Sequence, residues 1–408
     1  MDDRFLLRDD VAAEIYAEIA DLPIIDYHSH LDARQLLANQ PFENLTDLWL
    51  GSDHYKWRLM RANGVPEDLV TGAGNDFAKF SAFAATLEKA VGNPVYEWAH
   101  LELRRYFGIR TALNAATAPA IWEQANAALA TPDFLPQAIL ERSRVEVAVT
   151  TDDPADDLAA HVALAGLDAP WRVLPSFRPD SYLDDPAAPL DQLPEAMARF
   201  GRLGCRTADF GLDRFRMSEG AGRLVELLGM VKSLGWTAQV HFGVDRRQNL
   251  PMTQVLGPNT GFDSIGAQAG IVDELRLLLQ LAHEAGKLPD MILYPLNPAD
   301  WPVAATLLGN FQSESVRLQL GAAWWFNDHV AGIRRQLETL ATTGLLGNFT
   351  GMLTDSRSLL SYARHDYFRR ILATHLAQWH AAGRVGDLDL LKQVARDVSY
   401  HNAKRRFA

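Results

Sequence analysis

The chain has 408 residues, 48% of them hydrophobic and 22% charged, a globular composition that fills a large core and carries no mark of disorder. With 51 acidic against 39 basic residues the net charge is −12, a field that repels nucleic acid, anionic membrane and acidic metabolites, so an anionic substrate needs arginines placed locally. The one cysteine, Cys205, allows neither an intrachain disulfide nor a thiolate-rich metal site, and the acidic Met1-Asp2-Asp3-Arg4 leads into no long apolar run, so a cytoplasmic location without membrane or nucleic-acid partners is expected.

Eight short runs rich in Val, Ile and Leu alternate with helical patterns: residues 23–30, 145–151, 171–177, 204–209, 236–241, 291–296, 316–321 and 349–354. That alternation predicts a parallel sheet wrapped by helices, and eight units suit a closed (β/α)8 TIM barrel of the α/β class better than an open sheet. Helix ends are legible: Ser218 can cap a helix that Gly235 closes, and Gly344 closes one running from about His329. Roughly a hundred residues separate the first two runs, far more than one crossover needs. The segment about 32–144 therefore reads as a helical insertion covering the barrel mouth, with a helix over 96–107. Two terminal helices are expected over 362–380 and 388–406. Residues 1–408 read as a single domain.

In such a barrel the chemistry sits at the C-terminal strand ends. Taken in order the runs end on His28-Ser29-His30, Thr151-Asp152-Asp153, Arg178-Pro179-Asp180, Asp209, His241, Tyr294 with Asn297, Trp324-Trp325 a little beyond the strand, and Asp355-Ser356-Arg357. Residues two apart on a strand point to one side, so His28 and His30 can present two imidazoles to one divalent ion. Alone the pair could be a hydrogen-bonded surface feature; its place at the end of an apolar strand favours the metal. Asp355, ending the neighbouring eighth strand, either adds a carboxylate ligand or caps the next helix. Arg357 and Arg178 can each grip an anion, Arg178 with a plain ion pair to Asp180 as the rival reading. His241 is a third ligand, a substrate contact or a satisfied core histidine. Asp209-Phe210-Gly211 also looks like turn chemistry, Trp324 and Trp325 either stack on a sugar or pack under a loop, and the Asp53-His54-Tyr55-Lys56-Trp57-Arg58 cluster lies in the insertion.

These residues carry a resemblance. Asp26-Tyr27-His28-Ser29-His30-Leu31, Asp53 to Arg58, Thr150-Thr151-Asp152-Asp153-Pro154, Pro175-Ser176-Phe177-Arg178-Pro179-Asp180, Gly261-Phe262-Asp263-Ser264-Ile265, Trp324-Trp325-Phe326-Asn327-Asp328 and Leu353-Thr354-Asp355-Ser356-Arg357-Ser358 follow one another as in the bacterial uronate isomerases, the glucuronate isomerase branch of the amidohydrolase-like metal barrels, which the chain resembles along its length. The resemblance implies an aldose-ketose isomerase, an intramolecular oxidoreductase that converts D-glucuronate to D-fructuronate and D-galacturonate to D-tagaturonate through a cis-enediol. It implies one divalent ion, zinc first and manganese or another second, on His28, His30 and Asp355, no nucleotide or organic cofactor, and a homo-oligomer. Arg178, Arg357, Trp324, Asp209 and His241 then meet the substrate, while Asp355, His54 and Tyr55 act on its protons and carbonyl end. One departure is that Phe210 follows Asp209 where the family usually has histidine. The competing readings are a single-metal hydrolase or decarboxylase acting on an anionic sugar derivative, and a sugar-acid binding protein without turnover.

Overall fold

The computed structural model describes residues 2–185, 187–214 and 217–408. In chain order its strands are β1 (Ile24–Asp26), β2 (Val145–Val149), β3 (Arg172–Leu174), β4 (Thr207–Leu212), β5 (Thr237–Phe242), β6 (Val244–Asp245), β7 (Ser264–Ile265), β8 (Asp290–Pro295) and β9 (Leu318–Leu320). Seven of the eight apolar runs thus become parallel strands, in the orders β1-β2-β3 and β4-β5-β8-β9, and their residues are buried almost throughout, as a sheet covered on both faces requires. Single parallel bridges at Phe177, to Asp152 and to Ala208, join the two halves. β6 and β7 form a small antiparallel hairpin set into the excursion between β5 and β8.

The eighth run differs from the expectation: residues 349–354 form no strand. Side chains take the place of ladder partners there. Gln319 Oε1 accepts from Thr350 N at 3.2 Å, and Asp26 Oδ1 from Thr354 N at 2.8 Å. Gly351 at φ 79° and Asp355 at φ 46° turn the chain through the left-handed region, which breaks strand geometry within the segment and just past its end. Asp209-Phe210-Gly211 is likewise strand and not turn, since β4 runs on to Leu212.

The segment between β1 and β2 is helical, including His54–Ala62 and Pro94–Phe107. Asp53 caps the first by accepting from Tyr55 N and Lys56 N; Asn93 caps the second, and Gly108 at φ 67° ends it. The terminal helices are Ala363–Ala381 and Leu388–Arg396, the latter continuing through a π turn, Asp397–His401, into Asn402–Phe407. Helix Met217–Ser233 precedes Gly235 as expected, while the side chain of Ser218 lies outside the described residues. His329 caps Val330–Thr343. Among the described residues no helix is long and apolar enough to cross a membrane.

A polar layer closes the barrel beneath the strand ends. Gln239 Nε2 donates to Tyr27 O at 3.0 Å, Tyr294 OH to Gln239 Oε1 at 2.9 Å, and Tyr27 OH to Gly351 O at 2.7 Å. All three side chains are fully buried, and Phe407 stacks under Tyr27 with centroids 4.7 Å apart.

Candidate metal centre

The C-terminal strand ends open on a cavity of about 920 Å³, within the range of small-molecule sites. β1 stops at Asp26, yet the histidines beyond it stay tied to both neighbours: Ser29 N donates to Val149 O at 2.9 Å and His30 N to Ser356 O at 3.0 Å. His28 Nε2 and His30 Nε2 lie 3.3 and 3.0 Å from Asp355 Oδ1, with the two rings 78° apart. One donor atom from each of the three falls within 4.8 Å of the others, a spacing that an ion with bonds of about 2 Å bridges. Asp355 reaches this point from a left-handed backbone, strain of the kind that collects at functional sites.

The carboxylates around the two rings favour positive charge at this point, as a proton or as a metal ion. Burial pulls His30 down to about 4, past the opposing pull of Asp355. On His28 burial acts the same way, but the Asp209 and Asp355 carboxylates outweigh it and hold the ring above its usual value. Burial alone would raise Asp355; hydrogen bonds from His28 and His30 keep it well below the carboxylate range. His28, Asp209 and His241 form a second potential ligand group. Arg178 Nη1 already stands 3.0 Å from Asp209 Oδ2, so a cation there would meet a guanidinium, and the residues around Asp355 fit a metal ion better.

Asp209 is fully buried and sits at the centre of the floor. His241 Nδ1 is 2.8 Å from its Oδ1, and His28 Nδ1 is 3.9 Å away. Burial would raise its pKa, but Arg178, His28 and His241 hold it far below the usual value. Phe210, on the opposite side of the strand, is fully buried in the core, so Arg178 and His241 supply the contacts around Asp209. Arg178 also donates from Nε to Asp180 Oδ2 at 2.7 Å, which makes the ion pair and the cavity position compatible. It lies so close over Gly211 that a Cβ there would fall 2.1 Å from Nη2, which explains the glycine. His241 stacks on Tyr294 at 4.2 Å and on His28 at 4.5 Å, with Trp324 edge-on at 4.7 Å.

Arg357 faces the cavity and makes no hydrogen bond or ion pair with any described residue. His54 enters from the insertion, and burial lowers its pKa. Trp324 and Trp325 both line the cavity. Tyr55 does not: it stacks behind His54 at 4.6 Å and lines a separate space of about 320 Å³ beyond Trp325. Burial raises its pKa well above 10, so the hydroxyl keeps its proton. Of the other strand-end residues, Thr151 lines the cavity, while Asn297 donates to Gly266 O beside the hairpin and accepts from Ala299 N in its own loop.

The hairpin region adds residues that the strand-end rule did not reach: Arg246, Arg247 and Asp263 line the outer cavity. Arg247 is at φ 55°, and its N donates to Asp263 Oδ1 at 2.8 Å. Arg58 of the insertion donates to Gly261 O and Asp263 O at 2.7 and 2.8 Å, which fastens the hairpin to the helices above it. The dipeptide Arg246-Arg247 just after His241-Phe242-Gly243 was the available signal.

A family model described as glucuronate isomerase matches residues 1–186 and 220–407; the unmatched stretch contains β4 and Asp209. Uronate isomerases of Lactococcus lactis subsp. cremoris and Caldanaerobacter subterraneus subsp. tengcongensis are each 42% identical to the chain, over 99% of it and over 96% and 98% of their own lengths. The crystal structure of uronate isomerase from Thermotoga maritima aligns with a TM-score of 0.91 at 30% identity, covering 100% of this chain and 99% of that one. Glucuronate isomerase from Caulobacter crescentus aligns at 0.86 with 26% identity, covering 100% and 96%.

Proposed function

This chain belongs to the glucuronate isomerase family, and from that premise we propose how its cavity carries out the aldose-ketose isomerisation of uronates. The reaction moves a carbonyl from C1 to C2: a proton leaves C2, a cis-enediol forms, and a proton returns to C1. It needs a base, a group to steady the carbonyl oxygen and a grip on the open-chain acid. The carrying observation is the convergence of His28, His30 and Asp355 in one cavity with Arg178, Arg357 and His54.

His28, His30 and Asp355 hold the metal ion. When bound, a divalent ion there supplies positive charge that fixes a carboxylate and acidifies an adjacent hydroxyl. We assign it as zinc, with manganese the alternative, because two imidazoles and a carboxylate suit borderline ions; elemental analysis of the purified protein decides between them. Arg178, anchored by Asp180 and Asp209, and Arg357, which has no hydrogen bond or ion pair among the described residues, bind the oxygens of the sugar acid. Asp355, ionised at neutral pH, takes the C2 proton. His54, kept neutral by burial, donates a hydrogen bond to the carbonyl oxygen. Tyr55 holds the His54 ring by stacking and keeps its own proton, so it positions His54 and takes no proton itself. Trp324 packs against the sugar chain, and Asp209 keeps His241 and Arg178 in place beneath it. The helical segment 32–144 belongs to the same single domain as a cover for the mouth. Preferred substrates are D-glucuronate and D-galacturonate, and the enzyme acts in the cytoplasm as a homo-oligomer, which size-exclusion chromatography checks.

Conversion of glucuronate in D2O by the metal-loaded protein tests the reading. Deuterium at C1 of the recovered ketose supports proton transfer; conversion without label would replace it with hydride transfer, and hydrolysis of lactones without uronate conversion would overturn the assignment.

A further inference from the structure

The opposite end of the barrel carries a second large cavity, of about 760 Å³, bounded by Thr237, Asp290 and Leu318, the first residues of β5, β8 and β9. Three arginines, Arg317, Arg405 and Arg406, line it with a single carboxylate, Asp290. That is a local excess of positive charge in a chain of net charge −12, and a concave basic site on an acidic protein concentrates small anions.

The three arginines are not equally engaged. Arg405 bonds Asn402 and approaches Asp397 at 3.7 Å. Arg406 donates from Nε to Thr237 Oγ1 at 3.0 Å, while its Nη2 is buried without a hydrogen bond, 3.6 Å from Asp290 Oδ2. The Arg317 guanidinium has no hydrogen bond or ion pair with any described residue, and Asp290 Oδ1 is occupied by the Arg317 backbone N at 2.8 Å. Burial lowers the pKa of Arg406, and the charge of Arg317 adds to the effect. A buried guanidinium nitrogen without an acceptor is costly, and an oxyanion placed between Arg317 and Arg406 removes that cost while forming the strong charge-assisted bonds guanidinium favours. Of the amides lining the cavity, Gln312 bonds both N and O of Leu318, Gln319 bonds Asn348 O and Thr350, and Asn402 donates to Gly347 O and Phe349 O. That leaves the arginines and the Asn348 side chain to meet a ligand.

We propose that this cavity binds a small oxyanion, the phosphate or carboxylate of a hydroxylated metabolite, between Arg317 and Arg406. It is separated from the metal centre by the Tyr27–Gln239–Tyr294 layer.

Titration calorimetry of the metal-loaded full chain with inorganic phosphate, gluconate and 6-phosphogluconate tests this. At least one probe is expected to bind, with affinity reduced about ten-fold or more in Arg317→Gln. Arg317→Gln should leave isomerase activity without the probe unchanged, and Arg178→Lys should leave probe binding at this end intact. Phosphate and 6-phosphogluconate binding identifies a phosphate site; gluconate binding alone identifies a carboxylate site. Arg406→Lys, which keeps the charge, should weaken binding less than Arg406→Gln, provided both variants melt as the wild type does. No binding of any probe at millimolar concentration, equal affinity in Arg317→Gln, or loss confined to Arg178→Lys would overturn the proposal.

Discussion

Two groups of buried polar side chains stand side by side near the barrel mouth, and they differ in how completely they are satisfied. One joins the barrel to its insertion and terminal helices. There Arg364 donates to Asp328 Oδ2 at 2.8 Å and to Thr354 O at 2.6 Å, Asp26 accepts twice from Thr354, Lys56 pairs with Asp53, and Trp49 Nε1 donates to Glu102. The other surrounds His28, where His28 Nδ1, His54 Nδ1, His241 Nε2 and the indole nitrogens of Trp324 and Trp325 are buried without a hydrogen bond to any described residue. Buried polar groups are normally paired. The network around Arg364 is closed by protein partners, whereas the rings around His28 keep hydrogen-bonding capacity beside the cavity.

The sharpest test removes one acid from the unfinished group. Asp355→Asn should lower kcat by about 10³-fold or more while the melting temperature holds or rises, since a base is lost and a buried charge removed. A steep loss of stability instead would move Asp355 into the scaffold. The counterpart is Arg364→Gln, which leaves Asp328 buried and unpaired and should cost about 3–5 kcal/mol in urea denaturation, with kcat per folded molecule little changed.

A third test uses pH. Thr150 Oγ1 donates to Asp152 Oδ2 at 2.7 Å and meets His161 Nε2 at 2.8 Å. Burial raises Asp152 to about 6 and lowers His161 to about 4. In the unfolded chain these groups titrate near 3.9 and 6.5. Between about pH 4 and 6 the folded pair holds one proton on Asp152 and the unfolded pair one on His161, so together they give no slope. His161→Gln exposes the aspartate alone: its raised pKa makes stability fall as pH rises through that window. Asp152→Asn exposes the histidine alone: its lowered pKa makes stability fall as pH drops from about 6.5 to 4. Each amplitude is at most about 3 kcal/mol by denaturation across pH, and like-signed slopes would refute the pairing. The smallest effect is expected for Arg178→Lys, a KM increase of about ten-fold from loss of the guanidinium fork; an unchanged KM would detach Arg178 from the substrate.

Much of this was legible in the residues. The period of apolar runs located seven strands, and the strand-end rule found His28, His30, Asp209, His241 and Asp355, because parallel strands deliver their last residues to one face. The eighth segment escaped because Gln319 and Asp26 side chains replace its ladder, which no periodicity records. Tyr55 was placed too near the chemistry: adjacent positions on helix His54–Ala62 diverge, so one lines the cavity and the other its outer wall. Arg246 and Arg247 escaped the strand-end rule because the hairpin that presents them is an excursion with no apolar period of its own, and only their place shortly after His241 pointed to them. Asp209 looked like part of a turn, since Gly211 serves the packing of Arg178, a contact distant in sequence.

The Tyr27–Gln239–Tyr294 layer has a kinetic consequence. With its hydroxyls and amide committed to one another and to Gly351, and Phe407 stacked below, the reaction chamber has a sealed floor, so substrate and product do not exchange along the barrel axis from below and nothing bound at the far end reaches the metal centre through it.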